Sequence, residues 1–68
     1  MNKFTWNNSN ELEPEHEQIV LIWINGAPLV ALYNLNKSCF VVSNTESYNT
    51  REKSYLWTEI ISPDGNVL

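Results

Sequence analysis

At 68 residues with 43% apolar side chains, the chain has the size and make-up of one small globular domain, which excludes a second. Eight acidic residues against four basic ones leave a formal charge of −4, which argues against unaided binding to nucleic-acid phosphates or anionic membrane and points to basic protein partners. The single cysteine, Cys39, excludes an internal disulfide, so the reducing cytosol is the expected compartment. A chain this short buries only about 60% of the surface its unfolded form exposes, so dimerisation is a natural way to enlarge a thin core.

The segment from Met1 to Asn8 holds one basic residue and no apolar stretch behind it, so no signal peptide is expected. Lys3-Phe4-Thr5-Trp6 is a candidate edge strand. From Asn7 to Glu17 the chain is polar and broken by Pro14, which reads as a loop with at most one helical turn capped by Ser9 or Asn10. Gln18 to Ile24 is rich in β-branched and aromatic residues with apolar groups on both alternating faces, as expected of a central, two-sided strand. Its apolar run is six residues, far below the about twenty that a membrane-spanning helix needs. Asn25-Gly26 readily supplies two positive φ angles and predicts a hairpin into Leu29 to Tyr33, with the nitrogen of Pro28 facing away from the ladder.

A turn over Asn34 to Ser38 leads to a third strand, Cys39 to Val42. Ser43 to Lys53 is polar apart from Tyr48 and reads as a long loop, and Ser54 to Ile61 reads as a fourth strand. In that strand Tyr55, Trp57 and Glu59 share one face, and Leu56, Thr58 and Ile60 the other. The ten asparagines crowd these turns, which supports the assignments. The fold expected is mainly β: a four- to five-stranded antiparallel meander, a curled sheet or partly open barrel, forming one domain over 1–68. Residues 1–17 are its polar N-terminal segment, 18–61 the sheet and 62–68 a tail. Trp6, Trp23, Trp57 and Phe40 are the candidates to close the core.

The densest ionisable cluster is Glu11, Glu13, Glu15 and Glu17 with His16. In an extended chain those carboxylates project from one face at intervals of roughly 6.6 to 7 Å, close to phosphate spacing, and could occupy a basic groove. A solvated charged turn accounts for the same residues. A metal site lacks a second histidine. Cys39 with His16 as base matches nucleophile chemistry in residue type but not in spacing, and a free cysteine is ordinarily a small buried hydrophobe. The two glycines, Gly26 and Gly65, form no phosphate loop, so neither an enzyme nor a cofactor is expected. Tyr48 and Tyr55 lie in or beside the polar loop and are expected outside, available to a partner, while Arg51 and Lys53 are expected to pair with Glu46, Glu52 or the acidic front.

Trp6, then Pro14-Glu15, Val20-Leu21, Tyr33, Phe40 and Trp57 near Pro63 fall in an order that resembles a small phage and prophage family, the domain of unknown function 551. The resemblance runs from Trp6 to Pro63. The family has no established activity, so what it implies is context: a phage or mobile-element accessory protein in the cytoplasm of a bacterial host. The combined expectation is a non-catalytic, acidic protein-binding module that inhibits a host defence or nucleic-acid-handling complex in the manner of anti-CRISPR proteins. Its contact residues would be Glu11, Glu13, Glu15, Glu17, Tyr48 and Tyr55. The competing expectation is a structural, homo-oligomeric accessory protein that pairs an open edge or a Trp-rich face with its own copy.

Overall fold

The computed structural model describes residues 5–68, so Lys3 and Phe4 of the candidate front strand lie outside the described residues. Six strands form one antiparallel sheet that is not closed: β1 (Asn7–Asn8), β2 (Ile19–Ile24), β3 (Ala27–Asn34), β4 (Cys39–Ser43), β5 (Glu46–Asn49) and β6 (Leu56–Glu59). Their order across the sheet is β1-β6-β2-β3-β4-β5. The meander therefore runs from β2 to β5, after which the chain returns to lay β6 beside β2. No helix forms among the described residues, and so none is long and apolar enough to cross a membrane.

The hairpin at Asn25-Gly26 forms as its residue types dictate, with φ of 51° and 81°. A two-residue loop makes Ile24 and Ala27 the hydrogen-bonded closing pair. Alternation then places Pro28, opposite Trp23, where its nitrogen faces outward, and β4 pairs with β3 only from Leu32 to Asn34. The strand tolerates its proline for that reason.

The polar stretch after β4 is not the long loop that its composition suggested. A turn at Asn44 and Thr45 folds it back, and Glu46–Asn49 pairs with β4 across a register shift between Val41 and Ser43. One large side chain suffices for this edge strand, because Tyr48 packs against the core. The front edge is likewise displaced, to Asn7–Asn8, paired with Trp57 and Leu56. The last strand ends at Glu59, and Ile61 makes only an isolated bridge to Val67.

Register sorts the sheet into two faces. Val20, Ile22, Ile24, Ala31, Tyr33, Phe40 and Trp57 form the inner, buried face, with Tyr33 and Phe40 rings tilted against each other at 4.9 Å. The two-sided burial expected of β2 is not found: Ile19 and Trp23 stand 39% and 44% exposed on the other face. Of the proposed core residues, Trp57 and Phe40 are buried, Trp6 is half-buried, and Trp23 is outside. Tyr33, absent from those candidates, is wholly buried, and its hydroxyl has a hydrogen-bond partner, as a buried tyrosine requires.

That partner belongs to the segment between β1 and β2, which lies over the inner face as a strap. Ser9 N–H donates to the Tyr55 carbonyl at 2.9 Å, and Ser9 Oγ accepts from Tyr55 N–H at 2.9 Å. The Trp57 indole donates to the Leu12 carbonyl at 2.8 Å, and the Tyr33 hydroxyl donates to Glu13 Oε2 at 2.7 Å. Glu17 N–H then donates to the Tyr33 carbonyl at 2.8 Å. The strap holds a single turn, with Leu12 N–H donating to the Asn8 carbonyl at 3.0 Å. Its cap is Asn8, whose side chain accepts from Asn10 N–H, rather than Ser9 or Asn10.

Candidate functional site: two opposed surfaces

Two surfaces of contrasting chemistry lie on opposite sides of the sheet. The strap carries the acidic cluster. Turns at residues 9–11 and 16–17, with Glu17 at a φ of 63°, fold the chain, so the carboxylates are not the evenly spaced extended row considered from the sequence. Glu13 is committed to Tyr33 and serves to fasten the strap. Its carboxylate raises the Tyr33 pKa, although burial of the ring contributes most of that rise and the Thr50 hydroxyl opposes it.

Glu11, Glu15 and Glu17 remain exposed. The His16 ring lies beside one of them, its Nε2 4.0 Å from Glu17 Oε1. His16 Nδ1 accepts a hydrogen bond from Leu35 N–H at 3.2 Å, which ties the ring to the turn after β3. No lysine or arginine among the described residues pairs with a carboxylate, contrary to the expectation for Arg51 and Lys53. Lys53 instead lies over the Tyr55 ring, 5.8 Å from its centroid.

Tyr48 and Tyr55 come together, although they arrive from different elements. In a flat sheet β5 and β6 would stand four strand spacings apart, about 19 Å. The curl of the sheet instead brings the Tyr55 ring edge-on to Tyr48 at 5.7 Å and to Phe40 at 6.3 Å. Both tyrosines are half-buried and pack on the core, rather than standing free in a loop. The Tyr48 hydroxyl donates to Glu46, and that carboxylate raises the Tyr48 pKa. Together with Trp23, Lys53 and Leu56 they line an open pocket of about 220 Å³. That is below the roughly 300 Å³ at which small-molecule clefts begin and leaves room for about one large side chain.

The outer face of the sheet is the surface that sequence reasoning missed. Strand register places Ile19, Leu21 and Trp23 of β2 beside Leu32, Val30 and Pro28 of β3, with Leu56 and Thr58 of β6 on one flank and Val41 of β4 on the other. Ile19, Trp23, Val30, Leu32 and Leu56 are all exposed, Val30 most at 56%. Trp6 covers one corner, its ring 5.7 Å from that of Trp23. None of these positions carries a charge. The signal was present in the double-sided apolar pattern of β2, which was assigned to burial when half of it faces outward.

Cys39 is buried, and no group of three or more His, Cys, Asp or Glu capable of holding a metal occurs among the described residues. No protein-family model, curated protein or solved structure matches the chain.

Proposed function

We propose that this chain is a non-catalytic protein-binding module whose strap side docks on a basic surface of another protein. The observation that carries the reading is the set of exposed carboxylates on Glu11, Glu15 and Glu17, which no lysine or arginine among the described residues neutralises. Unpaired surface charge of one sign steers association with the opposite sign and specifies orientation more than it adds affinity. Tyr48 and Tyr55 supply what charge lacks: a small aromatic niche able to hold one partner side chain. The strap begins at the Tyr55 backbone, through Ser9, so the niche and the acidic segment are joined at that point.

The resemblance set out from the sequence supplies the context of this proposal. The module is a phage or mobile-element accessory protein of the bacterial cytoplasm, and its partner is a host protein of a defence or nucleic-acid-handling complex, inhibited as by an anti-CRISPR protein. The basic grooves of such complexes suit an acidic docking surface.

The test is capture of host proteins by the wild-type chain and by a Glu11→Lys, Glu15→Lys, Glu17→Lys variant, at low and high salt. Glu13 is left in place because its loss would loosen the strap. A partner held by the wild type, released by salt and lost by the variant supports the reading. A partner held equally by both at moderate salt refutes it.

A further inference from the structure

We infer that the uncharged outer face of the sheet is the interface with a second copy of this chain, two sheets packing face to face about a two-fold axis with contact centred on β2 and β3. This goes beyond the proposed docking of the strap side, with which it shares Trp23 and Leu56 at the rim of the Tyr48–Tyr55 niche.

The first argument is charge. The molecule carries −4, so two copies repel wherever their carboxylates meet. Those carboxylates lie on the strap, on the inner-face register positions Glu46 and Glu59, and in the turns at Glu52 and Asp64, while no outer-face strand position carries one. Copies that meet through their outer faces hold the two straps apart by both sheets. Facing sheets stand about 10 Å apart, and with a Debye length of about 8 Å at physiological salt the remaining strap-to-strap repulsion is largely screened. A strongly basic partner, by contrast, gains nothing from a face without charge.

The second argument is shape and area. A two-fold interface must be self-complementary, and β2 and β3 present a continuous apolar block on which either end can meet the other: Leu21 opposite Val30 at its centre, Ile19 opposite Leu32 at one end and Trp23 opposite Pro28 at the other. The molecule spans 33 × 22 × 21 Å, so no single side can present more than roughly 700 Å², and with Thr58 and Cys39 of the outer face already buried the contact is smaller than the about 800 Å² per partner of a standard interface. The dimer is therefore one that dissociates on dilution, and burying the five exposed apolar side chains of this face supplies the driving force.

Sedimentation equilibrium from low micromolar to near-millimolar chain tests this, with acrylamide quenching of tryptophan fluorescence as a second readout. The expected result is a mass that rises from one chain to two, strengthened by added salt, with Trp23 becoming shielded over the same range. Val30→Lys, at an exposed strand position, should keep the far-ultraviolet spectrum and weaken dimerisation at least tenfold. Val30→Thr retains the β-branched shape without charge and guards against a folding defect in the lysine variant; it should weaken the dimer less. Glu15→Lys should leave it intact. A wild-type chain that stays monomeric throughout, or a folded Val30→Lys chain that dimerises as well as the wild type, overturns the inference.

Discussion

The inner and outer faces of this sheet are built from the same strands and nearly the same residue types, yet they meet opposite environments. On β2, Ile22 is wholly buried and Ile19, three residues earlier, is 39% exposed. Neither side chain differs in hydrophobicity. What separates them is the strap, which lies over one face and not the other, fastened by the Trp57 indole, the Tyr33 hydroxyl and Ser9. A few polar contacts thus decide which of two apolar faces becomes the core and which is left exposed.

The comparison is broken most severely by truncating the inner face. Phe40→Ala, at a fully buried ring packed between Tyr33 and Tyr55, should cost about 3–5 kcal/mol, enough to unfold so small a domain, as read by urea denaturation. The matched pair Ile22→Ala and Ile19→Ala sharpens the contrast: about 2–5 kcal/mol is expected for the first and under about 1 kcal/mol for the second. Measurement in dilute solution keeps any self-association out of the comparison. Equal losses at the two positions would mean that the outer face is covered even in the single chain.

Releasing the strap is the next step down. Tyr33→Phe removes the hydrogen bond to Glu13 and should cost about 1–2 kcal/mol. The wild type should also show an alkaline dependence that the variant lacks. The Tyr33 pKa is raised in the folded state by burial and by Glu13, so its contribution is complete below the ordinary tyrosine value of 10.0 and is lost as pH rises through the higher folded value. Urea midpoints measured on either side of that range should fall in the wild type and fall less in Tyr33→Phe. A parallel fall in both would remove Tyr33 as the cause.

The smallest effect concerns the turn that keeps the faces in register. Gly26 sits at a φ of 81° with open space where a Cβ would point, so Gly26→Ala carries a conformational cost of about 1 kcal/mol and no steric clash. A one-residue slip of β2 against β3 would exchange the inner and outer sets, which is why this turn matters beyond its own energy. A loss well above that figure in thermal melts would indicate that register itself had shifted.

Much of the architecture is visible along the chain before any folding is considered. Asn25-Gly26 dictates its hairpin because few other residue pairs accept two positive φ angles, and the β-branched run of Ile19–Ile24 dictates a central strand. The absence of helix among the described residues follows from the same local preferences. Edge strands were less legible: β5 needs only Tyr48 to pack against the core, and a strand with one apolar residue in four has no period for a sequence to display. The acidic segment was legible as composition but not as shape, since its turns and the withdrawal of Glu13 depend on Tyr33, twenty residues away.

The pairing of Tyr48 with Tyr55 and the choice of which face of β2 to bury belong to tertiary structure alone. Both arise from contacts between segments distant in sequence, through the curl that brings β5 back toward the start of β6 and through the strap laid across one side. Local residue preference determines that a strand forms and where it turns. Which side of that strand meets water is set by what else in the chain arrives to cover it, and here a segment that composition marks only as polar loop does so.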